Sequence, residues 1–70
     1  MLNALETYAE CGRRAARALN QGDGHRYSFE HNWFRRAIGL ETASDRPQAN
    51  KAYESGFAAA RNAPQPEPFR

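Results

Sequence analysis

The octapeptides Glu10-Cys11-Gly12-Arg13-Arg14-Ala15-Ala16-Arg17 and Glu54-Ser55-Gly56-Phe57-Ala58-Ala59-Ala60-Arg61 stand 44 residues apart and share five of eight positions. In each, an alanine follows a glycine by one helical turn, Gly12 with Ala16 and Gly56 with Ala60. Such pairs cut a small-residue notch into a helix face. A mid-helix glycine costs about 1 kcal/mol against alanine, so its recurrence at the centre of both segments calls for compensation. Close approach of another backbone or of a bulky ring supplies it: Trp33 or Tyr53 fills a notch, or the two helices cross there.

Outward from these notches the periodicity is helical. Leu5, Tyr8, Ala9, Gly12, Ala15, Ala16 and Leu19 fall on one stripe at about 100° per residue, with Glu6, Glu10, Arg13, Arg14 and Arg17 opposite. This predicts a helix over 4–20, with Asn3 as N-cap, Glu6 closing a capping box, and Asn20-Gln21-Gly22-Asp23-Gly24 as the stop. A second helix is predicted over 29–38, capped by Ser28 and stopped by Gly39. Its apolar residues Phe29, Trp33, Phe34, Ala37 and Ile38 spread over half the circumference, which places it centrally between the other two. A third is predicted over 46–62, with Asp45 and Gln48 as capping box, Pro47 in the first turn and Pro64 as terminator. The stripe of the first helix maps onto it as Ala49, Ala52, Tyr53, Gly56, Ala59, Ala60 and Ala63. Residues 64–70, with proline at every second position to Pro68, read as an extended or disordered tail. The expected fold is therefore all-α: one three-helix domain over 1–63 with a proline-rich tail.

Composition agrees. Of 70 residues, 13 are alanine, four leucine, one isoleucine and none valine, which argues against a sheet. No apolar run reaches the length of a membrane span, and no secretory-signal pattern opens the sequence. One cysteine makes no internal disulfide. The expected setting is cytoplasmic, without membrane contact. So small a core gives marginal stability, and the alanine-rich faces also suit a homodimer.

Chemistry-bearing patterns are sparse. His25 and His31 are six apart without the companions of a metal site, so neither metal nor cofactor is expected. Cys11 lies on the edge of the first stripe beside arginines, which can lower a thiol pKa, but it lacks a base and reads as a half-buried small residue. No nucleophilic triad or phosphate loop is present, and an enzyme is not expected. Charge, by contrast, is uneven. The net charge is +2, yet residues 13–36 hold six arginines against Asp23 and Glu30. Arg13, Arg14, Arg17, Arg26, Arg35 and Arg36, with His31 and Trp33, are the candidate partner-binding residues. Aromatic and basic side chains interleave over 25–36, a pattern suited to base stacking with phosphate contacts and equally to an anchor for a protein target. Trp33 and Phe34 point about 100° apart, so one suits the core and the other the surface.

The stretch Ala52-Tyr53-Glu54-Ser55-Gly56-Phe57-Ala58-Ala59-Ala60-Arg61, followed by Pro66-Glu67-Pro68-Phe69, resembles the opening of ribosome modulation factor-like small proteins, which carry an A-x-x-x-G-(aromatic)-x-A-A-R helix. Trp33-Phe34-Arg35-Arg36-Ala37 is similar to that family's tryptophan-bearing helix, here placed before the motif. The resemblance covers residues 50–70 and implies binding to ribosomal RNA. The expected function is non-enzymatic docking on a large nucleic-acid-containing assembly. The alternative is a phage-type inhibitor or adaptor, similar in scale to anti-CRISPR proteins, that blocks a protein target.

Overall fold

The computed structural model describes residues 4–63 and consists of three α-helices: α1 (Ala4–Asn20), α2 (Gly24–Gly39) and α3 (Arg46–Asn62). The expected Asn3 cap and the 64–70 tail lie outside the described residues. Among the described residues there is no strand.

The α1–α2 junction is tighter than the sequence suggested. Gly22 adopts the left-handed conformation at φ 73°. Its N–H donates to the Leu19 carbonyl at 3.0 Å, and the Asp23 N–H donates to the Ala18 carbonyl at 2.8 Å. This pair of bonds is the Schellman closure, for which glycine is the low-strain residue. Asp23 then caps the next helix at once, its Oδ1 accepting from the Arg26 N–H at 3.0 Å. Helix α2 therefore starts five residues before the expected position, and Ser28 is an exposed interior residue, not its cap.

Helix α3 has its expected limits but not its expected cap. The Asp45 side chain makes no capping hydrogen bond. Thr42 does this work: its Oγ1 accepts from the Asp45 N–H at 3.2 Å, and its carbonyl from the Arg46 N–H at 3.1 Å. Pro47 in the first turn has no N–H to satisfy.

Helices α1 and α3 run parallel. Leu5 lies beside Gln48 and Ala52, Gly12 against Tyr53 and Phe57, and Asn20 against Ala60. At the centre the glycines meet backbone. A Cβ at Gly12 would run into the Tyr53 carbonyl oxygen and stand 2.9 Å from the Phe57 nitrogen. A Cβ at Gly56 would run into the Ala9 carbonyl oxygen and stand 2.9 Å from its carbon. Each glycine thus faces the carbonyl three residues before the other, so the repeat in sequence is a local two-fold in space. Gly12 and Gly56 with Ala16 and Ala60 are all buried, and small residues one turn apart are what lets two helix axes come this close.

This crossing corrects the expected order of helices. It is the α1 backbone, not that of α2, that lies close to both neighbours, while α2 and α3 stand apart and meet through their rings. Tyr8, Cys11 and Ala15 turn toward α2, while Gly12 and Ala16 turn toward α3. Backbones this close leave no room for leucines between them, so Leu5 and Leu19 are pushed to the rim and remain exposed. Rings close the space beneath: Phe34 stacks on Tyr53 with centroids 4.0 Å apart and meets Tyr8 at 84° with centroids 5.6 Å apart. Phe34 is buried and Trp33 is 43% exposed, which settles the division between these neighbours.

Candidate functional site

The antiparallel α1–α2 pair leaves an open groove of about 520 Å³ lined by Arg14, Arg17, Ala18, Gln21, Asp23, Arg26 and Glu30. Arg14 and Arg17 come from the outer face of α1, and Arg26 from the first turns of α2. All three side chains are more than half exposed.

Carboxylates organise these guanidiniums. Glu10 accepts from Arg13 Nε at 2.8 Å and lies 3.4 Å from Arg14 Nε and 3.8 Å from Arg17 Nη1. The hydrogen bond from Arg13 holds the Glu10 carboxyl below its ordinary pKa. Arg13 also reaches Glu6 at 3.1 Å. At the groove's inner edge Glu30 is buried, with Arg26 Nη1 3.6 Å from its Oε2. Four arginines thus stand among four carboxylates, counting Asp23. The excess of positive charge seen along the chain over 13–36 is reduced in space, because Glu6 and Glu10 lie one to two turns behind Arg13 on the same face.

Cys11 is fully enclosed. Its Sγ donates to the Glu30 carbonyl at 3.2 Å and lies 3.8 Å from Glu30 Oε1. Burial, reinforced by the Glu30 charge, pushes the thiol up to about 11. The neighbouring arginines therefore do not activate it, and Cys11 serves as a small core residue. Tyr8 donates to Glu41, and burial with that contact raises its hydroxyl to about 12. Among the described residues no group of three His, Cys, Asp or Glu is arranged to hold a metal. Among the described residues no helix is long and apolar enough to cross a membrane.

The eight residues singled out from sequence do not form one patch. Arg14, Arg17 and Arg26 meet around the groove, with Arg13 alongside. Trp33 and Arg36 lie farther along α2 on the same flank. Arg35 is nine residues from Arg26, hence on the far side of α2 at about 100° per residue. His31 turns inward, Nδ1 3.1 Å from the Tyr53 hydroxyl and its ring stacked on Tyr27 at 5.5 Å. It is part of the packing and not of the basic face.

Sequence reasoning missed the buried Glu30, for which the only signal was its i,i+4 spacing from Arg26. It also missed a ridge. Arg26, Phe29, Trp33, Arg36 and Leu40 recur at spacings of three, four, three and four, and so share one flank of α2. Phe29 is 62% and Leu40 90% exposed. No family model, curated protein or solved structure matches the chain.

Proposed function

We propose that this chain is a non-enzymatic docking protein that engages a nucleic-acid-containing assembly through the arginine groove. The observation that carries the reading is the convergence of Arg14, Arg17 and Arg26, from two helices, on one open groove. A guanidinium fork matches phosphate oxygens in pairs. Exchanging the partly exposed pairs of Arg14 and Arg17 with Glu10 for phosphate contacts costs little, since a surface pair contributes about 0–1 kcal/mol, while Arg26 keeps the buried Glu30 as its partner. Arg13 and Arg36 border the contact. The likeness of residues 52–61 to ribosome modulation factor-like proteins points the same way. Cosedimentation of the purified chain with bacterial ribosomes tests it. Between roughly 50 and 300 mM salt, log affinity should fall with a slope of about −2 to −3 against log salt, for three phosphates neutralised. Arg14→Glu with Arg17→Glu should flatten that slope. No association, or affinity indifferent to salt, overturns the proposal.

The exposure of Phe29, Trp33 and Leu40 favours a second reading, an inhibitor or adaptor that covers a protein target. Hot spots at protein interfaces are rich in tryptophan and arginine. Under that reading, capture survives nuclease treatment and depends on Trp33 rather than on Arg14 and Arg17.

A further inference from the structure

The ridge on α2 has a property that neither reading uses. Its spacing of three and four is that of a helix seam, two contacts per two turns, which suits another helix laid alongside. Its members are arginine, phenylalanine, tryptophan, arginine and leucine in order. A second α2 running antiparallel about Trp33 meets that order in reverse. Trp33 then faces its own copy at the axis, Phe29 of each chain lies beside Arg36 of the other, and Leu40 lies beside Arg26.

We infer that the chain forms an antiparallel homodimer through the Arg26-Phe29-Trp33-Arg36-Leu40 ridge of α2. A two-fold interface requires every contact to be answered by its mirror, and this ridge meets that demand chemically. Arg36 makes no ion pair with another described residue, and Phe29 beside it in the copy offers a ring face for cation–π contact. Arg26 is already neutralised by Glu30 at 3.6 Å, so its aliphatic stem is free to cover Leu40. Trp33 is held from beneath by Tyr8, with ring centroids 6.4 Å apart, so its exposed edge is presented in a fixed orientation. In a parallel pairing Arg26 and Arg36 would each face themselves, and like charges would repel. The antiparallel arrangement instead sets each guanidinium against a ring or an aliphatic side chain of the copy, with no two arginines facing each other. Arg26 belongs to both the groove and the ridge, so the dimer is tested without nucleic acid, where its outcome does not depend on the docking proposal.

The seam is short, at the small end of stable interfaces, so dissociation in the range of about 1–100 µM is expected. Sedimentation equilibrium of the full chain, without nucleic acid, from about 5 to 500 µM reads it directly. The wild type should pass from monomer to dimer over that range. Phe29→Arg, which sets arginine beside Arg36 of the copy, should weaken association at least tenfold. The double exchange Phe29→Arg with Arg36→Phe restores one ring and one guanidinium at each contact and should return the affinity to within about threefold. Circular dichroism confirms that each variant keeps its helices, as expected for exposed positions. A chain monomeric throughout, a dimer indifferent to Phe29→Arg, or a double variant no better than the single overturns the inference. The first result leaves the ridge to a different protein or to RNA.

Discussion

At Gly12 and Gly56 the usual sign of a substitution is reversed. Replacing an interior helical glycine by alanine ordinarily stabilises by about 1 kcal/mol. Here the added methyl meets a backbone carbonyl of the facing helix, which has no rotamer by which to move away. We expect Gly12→Ala and Gly56→Ala each to destabilise by about 1–3 kcal/mol in denaturant unfolding, the range of overpacked cores. Gly24→Ala is the control. Nothing lies within 4 Å of its added Cβ, so it should be neutral or stabilising. That such glycines needed compensation was legible in the sequence, because an unfavourable residue recurred at the centre of two apolar stripes. What compensates was not legible: a ring and a backbone fill a notch equally well on paper. Glu30 was opaque for a different reason. Its burial depends on Cys11 and Arg26 meeting across two helices, and no local pattern encodes that.

At the scale of the element, the ends of α2 show what local rules carry and where they stop. The sequence marks Asn20-Gln21-Gly22-Asp23-Gly24 as the stop of α1 and places the start of α2 only after Ser28. In the structure Gly22 ends one helix and Asp23 begins the next, with no residue between them. The reading failed because residues 24–28 carry only Tyr27 as a large apolar residue, so the first turns of α2 have no stripe to announce them. Asp23→Ala should therefore cost about 1 kcal/mol, the usual value of an N-cap side chain, and fray those turns. Asp45→Ala should cost much less, since Asp45 makes no side-chain cap. Thermal melts of the two variants compare them directly. Helices α1 and α3 were recovered with their limits because their stripes and flanking signals agreed. The broad apolar arc of α2 misled for a physical reason. Breadth signals two buried sides only when both are covered, and here one side is the exposed ridge of Phe29, Trp33 and Leu40.

Over the whole molecule, the repeat decides the order of helices. Two copies of a small-residue notch pair with each other about a local two-fold and make α1 the shared wall, with α2 leaning on its other side through Tyr8, Cys11 and Phe34. That leaning leaves one open groove for the arginines and one bare flank on α2. The positions of the candidate binding residues follow from it. Arg14, Arg17 and Arg26 are gathered by the α1–α2 pair, whereas Arg35 and His31 are carried away by the rotation of α2. The parallel, backbone-to-backbone crossing of α1 and α3 is therefore the claim on which the rest depends. Proton–proton Overhauser spectra of the labelled chain measure it most directly. The account predicts cross-peaks from the Gly12 α-protons to the Phe57 amide and from the Gly56 α-protons to the Ala9 α-proton. Absence of both, or contacts from Gly12 to α2 in their place, would contradict it.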